Sequence, residues 1–153
     1  MTSVETFTLQ NKIGSPVLCV IDFSDSSRIA LQTAINIAGS TKSRLTALYP
    51  YRLNQPRSVP DVAQWKRSID ADASTSFSRM TSTLLKESDV AVEFKSEVGF
   101  INDRVEAFTQ KHKVGLVVMS ADLTRANKDL LLDLLVKLEC PLLIVPYNLS
   151  KEL

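Results

Sequence analysis

The stretch Pro16-Val-Leu-Cys-Val-Ile-Asp-Phe-Ser-Asp-Ser-Ser27 decides the fold. Its first six residues are apolar or nearly so, and the run ends abruptly at Asp22, where Ser and Asp residues able to cap a helix follow. A continuous apolar run is typical of a strand buried on both faces, as in parallel sheets covered by helices. Residues 28–38 are a helix candidate, so the stretch predicts the start of a βαβ unit. Ligands bind beyond the carboxyl ends of such strands, which makes Asp22 the first candidate for a functional residue.

Four further strands are predicted along the chain. They cover residues 44–49 (ended by Pro50), 90–98, 114–119 and 141–146. The strand predicted at 90–98, the third along the chain, alternates apolar and charged residues, which indicates a half-exposed strand at a sheet edge. The run at 114–119 is wholly apolar and is therefore predicted to be central.

Helices are predicted between the strands, over 28–38, about 61–88, 102–112 and 130–138. Gly39 suits the left-handed cap that ends the first helix, whereas Asp61 and Asn102 suit the starts of the second and third. The segment 120–129 is mostly polar and carries no helix prediction.

The alternation of strands and helices predicts a doubly wound α/β fold. Right-handed crossovers, an edge position for strand three and central positions for strands one and four favour a five-stranded parallel sheet of order 3-2-1-4-5. The crevice would then lie between the ends of strands one and four. Residues 1–13 are interpreted as an N-terminal lead-in and residues 14–153 as a single domain.

The composition is that of an ordinary soluble globular protein. Hydrophobic residues make up 44% of the 153, charged residues 23%, and the net charge is +1, so nothing indicates a nucleic-acid or membrane partner. No run reaches the roughly 18 apolar residues of a membrane span, and the polar start does not resemble a secretory signal. The two cysteines, Cys19 and Cys140, are interpreted as buried thiols. We therefore expect a cytoplasmic protein.

Catalytic chemistry has little support in the sequence. His112 is the only histidine, and it lies between two lysines at a predicted helix end, where it suits the helix dipole as a surface residue. Neither a nucleophile elbow nor zinc-ligand spacing occurs. The sequence therefore predicts a protein that is not an enzyme.

Four pieces together resemble the universal stress protein family. They are Val20-Ile-Asp-Phe-Ser-Asp-Ser-Ser27, Gly99 before Asn102, Leu116-Val-Val-Met-Ser120 and Cys140-Pro-Leu-Leu-Ile-Val-Pro146. The resemblance covers about residues 14–147 and implies an adenine nucleotide alpha hydrolase-like fold and a role in stress response. It also implies that Asp22 matches the aspartate facing the adenine in ATP-binding members. Met119 matches the residue before the first glycine of their phosphate motif, and Ser120 stands in that glycine's place.

The phosphate motif itself is missing. ATP-binding members carry G-x2-G-x9-G-[ST] after strand four, because backbone N–H groups must come close to phosphate oxygens and a Cβ obstructs them. No glycine occurs from Met119 to Cys140. The resemblance therefore implies the branch without the ATP motif, with a degenerate crevice and no cofactor.

Three alternatives remain open for the crevice. Asp22 and Met119 could hold an adenine nucleotide such as ATP in a regulator, with Arg52, Arg125 or Lys128 replacing the backbone donors to phosphate. A second alternative is a metal site, since Asp22, Asp25 and Asp122 offer the oxygen ligands that hard cations prefer. The third is a phosphoacceptor receiver domain, whose sheet order would be 2-1-3-4-5.

The last predicted strand suggests a partner. Residues 141–146 would form an apolar edge strand, and unpaired edges need cover. In the resembled family this strand commonly pairs with its counterpart in a second subunit, which implies a homodimer; the alternative is that the tail, 147–153, covers the edge. We expect a non-enzymatic stress-response protein that acts through homodimerisation and contact with another, unidentified protein.

Overall fold

The computed structural model describes residues 14–53, 61–86 and 88–147. Its strands are β1 (Val17–Val20), β2 (Leu45–Tyr51), β3 (Val92–Val98), β4 (Leu116–Ser120) and β5 (Leu142–Val145). Its helices are α1 (Asp25–Thr41), α2 (Val62–Leu84), α3 (Ile101–His112), α4 (Ala121–Ala126) and α5 (Leu130–Lys137). The predicted lead-in at 1–13 lies outside the described residues, as does the tail beyond Tyr147.

The five strands form one parallel sheet in the order β3-β2-β1-β4-β5, which confirms the predicted topology. β1 is central, since Val17 pairs with Leu45 of β2 on one side and with Leu116 of β4 on the other. All four residues of β1 are buried, as expected for a parallel strand with helices on both faces. This order excludes the receiver-type arrangement, in which strand three would lie next to strand one.

Helices cover both faces of the sheet and create two cores. On one face, α1 and α2 pack over alternate strand residues, with Leu31 and Phe77 among the buried side chains. On the other face, α3 and α5 pack over the remaining strand residues, with Phe108 and Leu134 buried. Right-handed crossovers explain this division, because the chain moves one way along the sheet from β1 to β3 and the other way from β3 to β5.

The edge prediction for the third strand is confirmed. Within the described parts of the chain β3 pairs only with β2, and none of its seven residues is fully buried; Glu93 is exposed and the other six are partly buried. Phe94 packs into the α1–α2 core, whereas the Glu93 side chain is 68% exposed. Charges on an edge strand discourage pairing with another chain.

The start of α1 and the start of α2 are capped by side chains. Ser24 accepts a hydrogen bond from the Ser27 N–H at 3.2 Å, and Asp61 accepts one from the Gln64 N–H at 3.2 Å. Both satisfy backbone donors that the first helical turn leaves unpaired.

Two predicted helix ends are wrong. α1 does not end at Gly39 but continues to Thr41, and Lys42 takes the left-handed conformation with φ 54°, its N–H bonded to the Ala38 carbonyl. Gly39 is helical, and a Cβ there would lie 3.4 Å from Val90, which is an ordinary van der Waals contact, so neither the cap nor the packing requires a glycine at this position. Asn102 does not cap α3 either. The capping position is Phe100, without a side-chain bond, and Asn102 lies inside the first turn, where it donates to Asp133 of α5 at 2.5 Å.

Two further boundaries differ from the predictions. Pro50 does not end β2, which continues to Tyr51. The Ile21 N–H donates to the Leu48 carbonyl, so the backbone N–H and C=O groups of the even-numbered residues of β2 point toward β1. Pro50 is even-numbered, and β1 has already ended at its level, so no β1 residue needs a hydrogen bond from Pro50. The missing proline N–H therefore removes no ladder bond to β3. The polar segment after β4 also contains a short helix, α4, which was not predicted.

Within the described part of the chain, no helix combines the length and the hydropathy needed to cross a bilayer.

Candidate functional site

The candidate site lies where β1 and β4 end, because the strand order reverses between these two neighbours. Ile21 and Asp22 follow β1, and Ser120 is the last residue of β4. The sequence-predicted residues Asp22, Met119 and Ser120 therefore lie at the carboxyl edge of the sheet, as expected. Their surroundings differ sharply.

Asp22 is engaged in ordering the turn into α1. Its Oδ1 atom accepts hydrogen bonds from the Ser24 N–H at 3.0 Å, from the Ser27 hydroxyl at 2.8 Å, and from the Ser24 hydroxyl. The Asp22 N–H in turn donates to Ser27 Oγ at 2.9 Å. Ser27 is fully buried, with 0% of its surface exposed, so its hydroxyl depends on this carboxylate as acceptor. Asp22 itself is partly exposed.

Met119 and Ser120 are closed off from solvent. Both have 0% of their surface exposed, and Met119 packs in the core formed by α3 and α5. Ser120 caps α4, its Oγ accepting the Leu123 N–H at 3.1 Å. Ala121 and Leu123 are also buried. The segment that would need to present free N–H groups to a phosphate is therefore helical and has one of its first donors satisfied internally.

Two of the three candidate phosphate-binding cations are engaged by other residues. Arg125 forms an ion pair with Asp122 at 2.9 Å, and the Arg52 guanidinium lies 4.3 Å from the centroid of the Phe100 ring. Lys128 is exposed. An Arg–carboxylate pair and a cation–π contact both reduce the positive charge available to an anion.

No group of three or more His, Cys, Asp or Glu side chains that could hold a metal ion occurs among the described residues. Asp22, Asp25 and Asp122, the ligands of the metal alternative, are thus not gathered into one site. The oxygens of Asp22 and Asp122 contact hydroxyls, an N–H group and a guanidinium instead.

Aromatic side chains form a wall beside Asp22 on the α1–α2 face. The Phe23 ring lies 4.8 Å from that of Tyr49 and 6.3 Å from that of Phe94. Burial, and secondarily the negative charge of Asp22, raise the pKa of Tyr49, which keeps its hydroxyl neutral. This wall supplies packing at the crevice mouth but no ionised group.

A polar cluster at the same edge of the sheet was missed in the sequence. Asp70 of α2 accepts hydrogen bonds from Tyr51 at 2.7 Å, from Ser96 at 2.8 Å and from Lys66 at 2.7 Å. This Asp70 cluster ties α2 to the ends of β2 and β3. Burial opposes ionisation of Asp70, but the three donors outweigh it and hold its pKa below the usual carboxyl range. Only the Lys66–Asp70 spacing of four is readable in the sequence.

Two cavities lie at the opposite, amino-terminal edge of the sheet. One, of about 1140 Å³, is an open groove between the ends of α1 and α2, and the other, of about 420 Å³, lies near the end of α3. His112 lines the second cavity and packs against Phe108, with ring centroids 4.2 Å apart and the ring planes tilted by 31°, so it is half-buried and not a solvated surface residue. Neither cavity includes Asp22, Met119 or Ser120.

The second sheet edge has a composition opposite to that of β3. Among the residues that the structure describes, β5 pairs only with β4, and residues 141–146 contain no charged residue. In its register the Val117 N–H donates to the Pro141 carbonyl, which turns the N–H and C=O groups of Leu142 and Ile144 outward. An apolar edge with outward backbone groups can accept another strand.

Comparison with known proteins gives one family. The model of the universal stress protein family matches residues 15–146, whereas no curated protein matches the sequence. Similar solved structures include the universal stress protein UspA from Lactobacillus plantarum, with 18% identity, a TM-score of 0.70, and coverage of 86% of this chain and 97% of that one.

Two other similar structures contain nucleotides. A universal stress protein in complex with cAMP has 19% identity, a TM-score of 0.61 and coverage of 88% and 98% of the two chains. The universal stress protein from Archaeoglobus fulgidus in complex with dAMP has 17% identity, a TM-score of 0.64 and coverage of 87% and 98%. At these identities the likeness establishes the fold alone.

Proposed function

The chain belongs to the universal stress protein family, and from that premise we propose that it acts in a stress response as a non-catalytic homodimer. In this proposal the protein is cytoplasmic, its crevice holds no cofactor, and its activity is contact with another protein through the dimer. The sites Asp22, Met119 and Ser120 then have structural roles in place of ligand contacts.

The burial of Met119 and Ser120 is the observation that carries the proposal. A nucleotide cannot contact side chains with no exposed surface unless α4 moves away from the end of β4. Such a movement would break the Ser120 cap and expose Leu123, which is 94% buried, so it opposes binding.

The charge distribution supports the same conclusion. Asp122 lies in the first turn of α4, where an ATP-binding member of the family would receive phosphates. Its negative charge opposes a second anion there, and its partner Arg125 only neutralises it. The site thus offers neither the close backbone approach nor the net positive charge that phosphate binding uses.

The apolar edge of β5 supports the homodimer. Of the two sheet edges, β3 carries Glu93, Lys95 and Glu97, which protect it from pairing, whereas β5 has no such charges. Antiparallel pairing of β5 with the same strand of a second copy would satisfy the outward groups of Leu142 and Ile144 and extend the sheet to ten strands.

The alternative is an adenine-nucleotide-binding regulator that uses the same crevice. It is favoured by the partial exposure of Asp22 and by the cAMP and dAMP complexes of two similar proteins. In that case the Asp22 Oδ2 atom would contact the base while Oδ1 keeps its three donors.

Calorimetric titration of the purified protein separates the two functions. ATP with magnesium, cAMP and dAMP would each be titrated into the wild type and into Asp22→Asn, which keeps an acceptor oxygen for the turn. The proposal predicts no saturable heat with any of the three at millimolar concentration. Saturable heat with the wild type that is lost in Asp22→Asn would contradict the proposal and establish the regulator.

A further inference from the structure

The smaller of the two cavities at the amino-terminal edge of the sheet has the features of a ligand site. Its volume is about 420 Å³, within the range of roughly 300–1,000 Å³ that small-molecule sites occupy. The starts of β2 and β3 and the last turn of α3 line it. It lies at the edge of the sheet opposite to Asp22, so it is separate from the crevice and does not depend on the function proposed above.

A buried hydroxyl without a protein partner lines this cavity. Thr46 of β2 has 8% of its surface exposed. Among the described residues, no side chain or backbone group forms a hydrogen bond with the Thr46 hydroxyl. A buried hydroxyl is costly unless water or a ligand supplies its hydrogen bond. The Thr46 hydroxyl is therefore available to a molecule in the cavity.

Two opposite charges line the same cavity without pairing with each other. In the ranges that the structure describes, the Arg44 guanidinium forms neither an ion pair nor a side-chain hydrogen bond. The Glu93 carboxylate contacts a single described cation, Lys95 Nζ at 4.0 Å, and its side chain is 68% exposed. So long and exposed an ion pair contributes little, and the Glu93 carboxylate keeps its capacity to accept hydrogen bonds.

The strand register brings these three polar side chains to one face of the sheet. Thr46 and Glu93 are partners in the β2–β3 pair, and Arg44 precedes Thr46 by two residues, so its side chain starts on the same face. From a strand spacing of about 4.8 Å and a rise of about 3.3 Å per residue, the Cα atoms of Arg44 and Glu93 are about 8 Å apart. Two such long side chains can contact one small molecule.

The remaining wall of the cavity is largely apolar. The Phe108 ring is 93% buried, and His112 packs against it on the outer side. Pro16, which precedes β1, adds further apolar surface. Lys95 Nζ lies 5.5 Å from the centroid of the Phe108 ring. The cavity thus combines a cation, a carboxylate and a buried hydroxyl with a wall that suits an apolar group.

We propose that this cavity binds a free α-amino acid with an apolar side chain. The ligand carboxylate accepts hydrogen bonds from the Arg44 guanidinium and the Thr46 hydroxyl, and the ligand ammonium donates to the Glu93 carboxylate. The ligand side chain lies against Phe108. A simple anion would be repelled by Glu93 and a simple cation by Arg44, whereas an α-amino acid complements both charges.

A titration of the isotopically labelled full chain, followed by amide NMR, tests the inference. The probes are L-phenylalanine and L-leucine, with two matched analogues of the first: 3-phenylpropanoate, which lacks the ammonium, and phenethylamine, which lacks the carboxylate. We expect both amino acids to shift the amide signals of Thr46, Glu93 and His112 saturably in the millimolar range. Each analogue should bind at least about tenfold more weakly than L-phenylalanine, since it loses one charged hydrogen bond.

Two charge variants assign the contacts. Arg44→Gln and Glu93→Gln lie at exposed positions, and each should raise the dissociation constant of L-phenylalanine at least about tenfold. Arg44→Gln should also remove the preference over phenethylamine, and Glu93→Gln the preference over 3-phenylpropanoate. The matched controls are Lys86→Gln and Asp89→Asn, at exposed charged residues that line only the larger groove. Their dissociation constants should stay within about twofold of the wild-type value, because screened surface charges act weakly.

The buried hydroxyl is tested by Thr46→Val, with Thr46→Ser as its control. Because the hydroxyl has no partner in the described chain, Thr46→Val should leave the stability unchanged but raise the dissociation constant of L-phenylalanine about three- to tenfold. Thr46→Ser keeps the hydroxyl and should bind as the wild type does.

Three results would each overturn the inference. They are the absence of saturable shifts with both amino acids, equal affinity for L-phenylalanine and 3-phenylpropanoate, and unchanged affinity in Arg44→Gln, Glu93→Gln or Thr46→Val. None of these results bears on nucleotide binding or subunit number, so a failure here is distinct from a failure of the proposed function.

Discussion

Replacing Asp22 by alanine should destabilise the fold, because the carboxylate organises the start of α1. The variant removes the acceptor of three hydrogen bonds, from the Ser24 N–H, the Ser24 hydroxyl and the Ser27 hydroxyl. The buried Ser27 hydroxyl would lose its acceptor, and Ser24 would lose the contacts that orient it as a cap.

The magnitude follows from these contacts. A hydrogen bond to a charged acceptor contributes about 1.5–3 kcal/mol where water is excluded, and a lost cap costs about 1 kcal/mol. Because Asp22 is partly exposed and water replaces some of the bonds, we expect Asp22→Ala to lower the free energy of unfolding by about 2–3 kcal/mol. Asp22→Asn, which keeps an acceptor oxygen, should cost about 1 kcal/mol.

Urea unfolding followed by circular dichroism measures the difference at one fixed protein concentration, since dimerisation would couple stability to concentration. The matched control is Asp25→Ala, at an exposed first-turn carboxylate whose loss should cost about 0.5 kcal/mol through the helix dipole. If Asp22→Ala costs no more than Asp25→Ala, the structural role of Asp22 is refuted and a ligand role becomes the better explanation.

The remaining predictions concern the Asp70 cluster, two glycines and the buried thiol. Because the pKa of Asp70 is lower in the folded protein than in the unfolded chain, its carboxylate contributes fully to stability above the unfolded pKa, near pH 4. That contribution is lost as the pH falls through the folded-state pKa. Asp70→Asn should therefore reduce the dependence of the free energy of unfolding on pH in the acid range. Gly99→Ala should lower the free energy of urea unfolding by about 1–3 kcal/mol, because φ at Gly99 is 147° and the new Cβ would lie 2.9 Å from Arg104 Nε. The matched variant Gly39→Ala, in a helix, should be neutral or stabilising by up to about 1 kcal/mol. Equal effects of the two substitutions would refute the argument from backbone conformation. Burial raises the pKa of Cys19, so its thiol should react with a disulfide reagent only as fast as the protein unfolds, and rapid native-state labelling would contradict this.

The fold could be predicted because its signals are local and redundant. The continuous apolar runs of β1 and β4 predict strands covered on both faces and therefore central in the sheet. The alternation of apolar and charged residues in the sequence of β3 predicts a strand at the sheet edge. Together these two sequence patterns determine most of the strand order. The boundaries failed where tertiary contacts overrode local preference. Pro50 stays in β2 because its neighbour β1 has already ended, and Lys42 takes the left-handed position that the sequence predicts for Gly39.

The candidate site was only partly predictable. The sequence located Asp22 correctly at the end of β1, because that depends on one strand, but the burial of Met119 and Ser120 depends on α4. That helix has six residues and a polar sequence, so neither its length nor its periodicity distinguishes it from a loop. The Asp70 cluster joins residues up to 26 positions apart, for which a single sequence carries no signal.

Native mass spectrometry of the purified protein, with and without added ATP and magnesium, tests the central claim most directly, because one spectrum reports both subunit number and bound nucleotide. The account predicts a species of twice the 17.0 kDa chain mass, with no added mass in either sample. A monomer at every concentration would contradict the homodimer, and a stoichiometric nucleotide adduct on each chain would contradict the closed crevice.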